Sequence, residues 1–471
     1  MPAVLSVDVG TSTICGVAVD ASGELIASVE RPNDAAVSGL PPTWFEQDPE
    51  RIRGRVVEVL SELARQVGDV ACIGLTGQMH GMLCVDAGNR PVSRLVTWQD
   101  GRCLDASSQG SVLEQMLRRV PESLWDACGC RPASGFMGST LFWMRQNGAL
   151  PANARRVCFI HDWIGGVLTG QLPVTDPSDA GSAGLFDLAD LRWHDDIARL
   201  LDLPVDLLPP VRESGEVIGE LSAEMASATG LKAGTPVCNA VGDNQASVIG
   251  SIAEPQRSIL INLGTGGQIS WAVPGFRRVK QMETRYLPRR RYMLVGASLC
   301  GGRAFAWLND VVRGWLREFG HEADREHVYA RLTALAAIGH LGEPLVARTT
   351  FAGTRTDPLL RGAFENVGLG NFTLADVTRA VLDGIVEELC EFYKSAGGDA
   401  RHDTVVASGN AVRKNRLLRE IIETRLRRRV VIPAHREEAA VGAALLAGVG
   451  AGVFGSIEDA GRCIRYEGRS R

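Results

Sequence analysis

Residues 241–268, VGDNQASVIGSIAEPQRSILINLGTGGQ, decide how the chain is read. Asp243 stands directly after Gly242, at the end of the apolar run 236–241. Downstream, Ser258-Ile-Leu-Ile-Asn-Leu has the pattern of a buried strand and is broken by Gly264-Thr265-Gly266-Gly267. A Gly/Thr turn after a strand offers backbone N–H groups and a hydroxyl to anionic oxygens at close range.

A near-copy opens the chain. Residues 4–9 read as a strand, Gly10-Thr11-Ser12-Thr13 as a turn, and 14–19 as a second strand. Laid on the strand that starts at Ser258, Asp8 falls on Asn262, Gly10 on Gly264 and Thr11 on Thr265. One Gly-Thr turn is common hairpin chemistry. A recurring pair with an acid in the first strand predicts two related domains facing one nucleotide.

The chain has 471 residues, long enough for two or three domains with sizeable cores, and its composition (45% hydrophobic, 22% charged) is that of an ordinary globular protein. A net charge of -5 leaves no basic footprint for nucleic acid. The eleven cysteines are scattered without a CxxC pair and read as reduced, mostly buried thiols. No signal-peptide pattern follows Met1, and the weakly polar run 439–455 is short for a membrane span and reads as a tightly packed helix of small residues, so a cytoplasmic protein is expected.

Along the chain, apolar strands repeatedly end in polar clusters, the habit of an α/β fold with its site at strand ends. Residues 70–75 run into Thr76-Gly77-Gln78-Met79-His80-Gly81, and 95–97 run into Trp98-Gln99-Asp100-Gly101-Arg102. Asp48-Pro49-Glu50 starts a helix with apolar positions at 52, 56, 59, 60 and 63, and 374–395 is strongly periodic. Helices are expected over much of 105–120 and 139–148, with a Gly/Ser/Asp-rich loop at 176–188 and a domain boundary at 240–255. There is no GxxxxGK[ST], GxSxG or HExxH, and the GxGxxG match at 450–455 follows a helix, not a strand.

What remains fits nucleotide-dependent phosphorylation of a polyol, which rests on alignment, Mg²⁺ and a base for the attacking hydroxyl. Asp243 is the candidate base, against the plain reading of an acid at the start of the helix that follows. Asp8 is the candidate to orient Mg²⁺ through its waters, against a turn aspartate bonding its own loop. Gln78, Met79, His80, Trp98, Asp100 and Arg102 offer polar groups and an aromatic face to a sugar; any one of them alone is an ordinary structural residue.

In order, Asp8-x-Gly-Thr, Gly242-Asp243, Gly264-Thr-Gly, Ser408-Gly-Asn-Ala-x-x-x-Asn415 and Glu438-Ala-Ala-x-Gly-Ala-Ala resemble the FGGY carbohydrate kinases over essentially the whole chain. That resemblance implies an α/β fold of two ribonuclease-H-like, actin-like ATPase domains, 1–250 and 251–471, with a nucleotide cleft between them. It implies ATP and Mg²⁺ as cofactors and a small-molecule ketose as substrate. By matching position, Asp243 would be the base, and Asp8, Gly10, Thr11 and Thr13 would form the first phosphate hairpin. Gly264, Thr265 and Gly266 would form the second, and Gly409, Asn410 and Asn415 would line the adenosine site. Met79, His80 and Asp100 would hold the ketose. Gly77-Gln-Met-His-Gly81, the segment 95–103, Ile160-His-Asp162 and Gly242-Asp-x-Gln-Ala-Ser-Val248 are similar to the family branch acting on sedoheptulose. Where many members carry Gly-Glu-Arg-Thr-Pro, this chain has Gly353-Thr354-Arg355-Thr356-Asp357. Two alternatives are a member acting on xylulose or ribulose and a non-catalytic actin-like sensor; neither membrane nor nucleic acid is an expected partner, and the assembly is open to a homodimer.

Overall fold

A computed structural model of the chain describes residues 2–338, 343–354, 357 and 359–468. Two sheets dominate it, and they share one plan. In the first, Leu25–Pro32, Thr13–Val19 and Ala3–Val9 form an antiparallel meander, and Ala3–Val9 then pairs in parallel with Val70–Gly77. In the second, Glu283–Leu287, Arg291–Ser298, Gly267–Val273 and Ser258–Leu263 form the meander, and Ser258–Leu263 pairs in parallel with Thr404–Ser408. The repeated Gly-Thr turns are thus the same hairpin of two sheets.

Helices cover the sheets where the apolar periodicity predicts them. Helix Pro49–Gln66 begins at Asp48, whose side chain accepts from the N–H groups of Glu50 and Arg51, and buries Ile52, Val56, Val59, Leu60 and Leu63. Helix Leu374–Ser395 is capped by Thr373 and Asp376 acting reciprocally. The helix expected over 105–120 is confined to Val112–Arg119.

Small residues bring helix Asp243–Ser251 and helix Glu438–Gly450 into close crossing. A Cβ on Gly442 would lie 1.8 Å from the Ala246 carbonyl oxygen, and one on Gly250 would lie 2.0 Å from that of Glu438. Glu438–Gly450 belongs late in sequence yet lies on the first sheet, where Ala440, Ala443, Ala444 and Ala447 share a core with Val4, Val17, Val19 and Cys72. The Ser6 hydroxyl donates to the Ala440 carbonyl at 2.5 Å. No helix among the described residues is long and apolar enough to cross a membrane. No disulfide joins any of the cysteines among the described residues, and nine of the eleven are buried.

Residues 176–188, expected as a loop, are a buried insert instead. Asp176 caps the short helix Pro177–Ala180, and Phe186–Asp187 pairs with Arg192–Trp193. Glycine suits this buried segment because a Cβ on Gly181 would lie 2.9 Å from Leu188 Cδ2 and one on Gly184 3.1 Å from Pro132 Cα.

Candidate active site

Strand register assembles the site. Asp8 pairs with Thr76 and Val9 with Gly77, while on the other side of the same strand Val241 pairs with Thr76 and Gly242 with Gly77. Three strand ends therefore stop level, and beyond them stand Gly10-Thr11, Gln78-Met79-His80 and Asp243. The buried insert braces this arrangement: the Ser178 hydroxyl accepts from the Gly242 N–H at 2.9 Å.

Asp243 is the first residue of helix Asp243–Ser251, with Gly242 as the cap. Burial raises its carboxyl pKa, and Arg285, the Asn244 N–H and His161 pull it back down. Asp8 is pushed up to about 7, by burial first and the Asp243 charge second, with His161 opposing. Its Oδ1 is shut off from solvent and has no hydrogen-bond partner. His161 is fully buried, and its Nε2 lies 2.7 Å from Asp179 Oδ2. Ligand atoms of His161, Asp162 and Asp179 converge within 4.8 Å, but that imidazole nitrogen is already spent on Asp179. The insert thus adds Asp176 and Asp179 to the neighbourhood, acids that a loop reading passed over.

Several of the residues expected to face a sugar hold the scaffold instead. Asp100 is buried with both oxygens committed: Oδ1 accepts from Arg102 N and Nε at 2.9 and 2.8 Å, and Oδ2 accepts from Arg102 Nη2 and Phe45 N at 2.9 and 2.8 Å. Arg102 also donates to Glu46 at 2.7 Å and lies 4.0 Å from the centre of the Trp44 ring. The pair therefore locks the loop after Trp98, a job its spacing does not announce. Gln78 Oε1 accepts from Thr11 Oγ1 at 3.2 Å and its Nε2 donates to Gln47 at 2.8 Å, so it ties the first turn down.

His80 and Trp98 stand at the opening, while Met79 is buried behind them. Trp98 Nε1 donates to Thr11 Oγ1 at 3.0 Å. His80 adopts φ 75°, a left-handed backbone uncommon for a side-chain-bearing residue. Its ring stacks on Phe136 at 4.0 Å, and Nδ1 lies 2.9 Å from the Ser182 carbonyl oxygen, which fixes Nδ1 as the protonated nitrogen. His80 and Trp98 line a cavity of about 1510 Å³ between residues 122–136 and the second sheet with its helix Leu374–Ser395. Asp8 and Asp243 are not among its lining residues.

The second turn is built in the same way. Asn262 pairs with Ser408, so the turn at 264–266 stands beside Gly409-Asn410. Gly409 has φ 88°, and a Cβ there would lie 2.5 Å from the Leu263 carbonyl oxygen, so only glycine allows this approach. The carbonyls of Gly264 and Thr265 accept from Gly302 N and Arg303 N at 2.8 and 3.0 Å, seating the turn on the start of helix Gly302–Glu318. Thr265 and Asn410 are exposed at this end. Asn415, in contrast, caps helix Arg416–Leu426 by accepting from Leu418 N, and its Nδ2 is buried without a partner. Across the cleft, Asn244 Nδ2 donates to Gln268 Oε1 at 2.8 Å, which brings the second hairpin beside Asp243. Of the divergent loop at 353–357, Arg355 and Thr356 lie outside the described residues.

Duplicated hairpins at level strand ends, with a carboxylate at the head of a helix between them, define a two-domain α/β protein of the actin-like ATPase fold. Comparison with known proteins narrows the class. Residues 3–250 match the N-terminal domain of the FGGY family of carbohydrate kinases and residues 274–451 match its C-terminal domain. The chain belongs to the FGGY family of carbohydrate kinases. It is 30% identical to a mouse (Mus musculus) sedoheptulokinase over 90% of this chain and 92% of that one. To the human (Homo sapiens) sedoheptulokinase it is 29% identical, over 94% and 97%. Among solved structures, a xylulose kinase from Rhodospirillum rubrum superposes with a TM-score of 0.88 at 25% identity, covering 98% of this chain and 93% of that chain.

Proposed function

We propose that this carbohydrate kinase transfers the terminal phosphoryl group of ATP to the terminal hydroxyl of a ketose in the cytoplasm, with sedoheptulose preferred and sedoheptulose 7-phosphate as product. The observation that carries the reading is the register that sets Asp243 level with Gly10-Thr11 and beside the second hairpin. In this scheme 1–250 supplies the sugar site and first hairpin, and 251–471 supplies the second hairpin and the adenosine site. The buried, partnerless Oδ1 of Asp8 fits a hydrated Mg²⁺, a cation that keeps most of its waters and takes few protein carboxylates. Bound MgATP supplies the phosphoryl group and neutralises the charge of a loose transition state.

The chain's own residues do the rest. Asp243, deprotonated, accepts the proton of the sugar's terminal hydroxyl as that oxygen attacks. Its position at a helix N-terminus offsets part of the cost of holding the charge in a poorly solvated place. Met79, His80 and Trp98 orient the sugar, and the turns at 10–13 and 264–266, with Gly409 and Asn410, hold the nucleotide. Closing the two halves excludes water, which keeps ATP from hydrolysing without sugar.

Similarity to the sedoheptulokinases over nearly the full length supports the seven-carbon substrate, while the xylulose kinase superposition supports a pentulose as the second reading. Coupled ADP release with sedoheptulose, xylulose, ribulose and glycerol, compared by kcat/KM, tests both. The expected result is highest for sedoheptulose. Preference for a pentulose would keep the kinase and discard this substrate; no release above background with any sugar would favour a sensor.

A further inference from the structure

Strand Glu283–Leu287 is the edge of the second sheet, but its edge is docked on the first half of the chain. The Tyr286 hydroxyl donates to Glu213 at 2.8 Å, and Tyr292 on the neighbouring strand donates to the Leu188 carbonyl at 2.8 Å. Strand alternation sends Tyr286 to one face and Arg285 and Leu287 to the other. On that other face Leu287 packs with Met293, Val295 and, from the helix headed by Asp243 and the residue that ends it, Val248 and Ile252. Arg285 is thereby aimed at the sugar end of the first half.

Its surroundings are unusual for a guanidinium. Arg285 is 7% exposed, and Nε and Nη2 both donate to a single oxygen, Oε2 of Glu283, at 3.0 and 2.6 Å. Nη1 points across the cleft at Met79 Sδ, 3.6 Å away. A thioether is a weak acceptor, so Nη1, unlike the Nε and Nη2 held by Glu283, is only weakly satisfied at this depth. Met79 in turn abuts Gly242, where a Cβ would lie 2.6 Å from Met79 Cε, so Arg285 stands one residue's width from Asp243. Its charge is the largest of the influences opposing burial at the Asp243 carboxyl. The other titratable groups acting at this point are Asp8, Cys130, His161, Asp179 and Glu283.

We propose that Arg285 is a sugar-binding, specificity-determining residue whose Nη1 donates to an oxygen of the bound ketose from the second half of the chain. The inference rests on the ketose-kinase reading above. It gives the sugar a contact from each half: Asp243 from one side and, once Nη1 exchanges the Met79 sulfur for a sugar oxygen, Arg285 from the other. Bound sugar then replaces a sulfur with an oxygen at Nη1 and staples the halves together. A buried donor also penalises any substrate with no oxygen to meet it, which selects a long polyhydroxylated chain over glycerol.

The test uses the ketose that the wild-type enzyme turns over best. Arg285→Met should raise the sugar KM by about 10- to 100-fold, the scale of a hydrogen bond to a charged group, and leave the KM for ATP within about twofold. Arg285→Lys keeps charge and a donor but loses the fork, and should recover part of the loss. A ketose lacking the contacted hydroxyl should cost the wild type much and Arg285→Met little. A folded Arg285→Met with unchanged sugar KM, or with sugar and ATP constants raised alike, would reduce Arg285 to a structural partner of Glu283. Should Arg285→Met fail to fold, an unchanged sugar KM in Arg285→Lys overturns the proposal equally. A wild type that phosphorylates no ketose sinks the kinase reading and takes this inference with it; a wild type that does, with unmoved variants, sinks this inference alone.

Discussion

At Asp243 burial pushes the carboxyl up, while Arg285, one backbone N–H and His161 hold it down, and burial wins. A base with a raised pKa is deprotonated only above that value, so activity is present on the alkaline side and is lost as pH falls through it. The acid limb of kcat/KM should therefore have its midpoint above the ordinary carboxylate range near 4. Asp243→Asn should lower kcat by roughly 10²–10⁴-fold, with an unchanged melting profile, and abolish that limb. Near-normal turnover in the variant would remove Asp243 from the chemistry. Asp8 and Asp243 stand out in the sequence because each is set against glycine at a strand end. Asp100, Gln78 and Asn415 are polar residues of the same kind, but local partners take both ends of Asp100 and Gln78 and the Oδ1 of Asn415, and a one-dimensional pattern cannot tell a hydroxyl of a sugar from the N–H of Phe45 or Leu418. Arg285 gives no signal at all. Glu283-Thr-Arg285 reads as any half-polar strand, and its meaning comes from the docking of that edge on the first half.

Between elements, the helix crossing at Gly442 and Gly250 controls where Asp243 sits, since one of the crossing helices begins with it. Gly442→Ala forces a methyl to within 1.8 Å of a carbonyl oxygen that has no flexible end to yield. The expected cost is about 1–3 kcal/mol or more, read as a lower midpoint in urea, with a fall in kcat because the helix bearing Asp243 is displaced. A midpoint equal to the wild type would show that the crossing relaxes freely. This contact was legible as a class, since a run such as Glu438-Ala-Ala-x-Gly-Ala-Ala announces a close-packed helix, but its partner was not. The segment 176–188 failed for the opposite reason. Glycine, serine and aspartate mark exposed loops and also tightly packed buried turns, and here Asp176 accepts from Ser178 N at 3.1 Å and Asp179 N at 2.9 Å in place of water.

Over the whole molecule, the repeated hairpin made the duplicated plan readable, because a strand–Gly–Thr–strand pattern survives in sequence when the surrounding helices have diverged. Less readable was the path of the chain's final stretch. Helix Glu438–Gly450 and the residues after it, Phe454, Ile457 and Ile464, complete a core whose other members include Val4, Val17, Val19 and Cys72. A chain stopped at 435 should accordingly damage the first sheet more than the second, seen as dye binding by exposed apolar surface and protease cleavage mapping to the first 80 residues or so. Cleavage confined to the second half would contradict this. The ribosome must translate roughly 190 more residues after position 250 before Glu438 emerges, about 10–40 s at ordinary elongation rates. During that interval the opening hairpin and its sheet stand with one oily face bare, so the half of the protein made first is the half that cannot finish on its own, and newborn chains should depend on chaperone cover until that helix has been made.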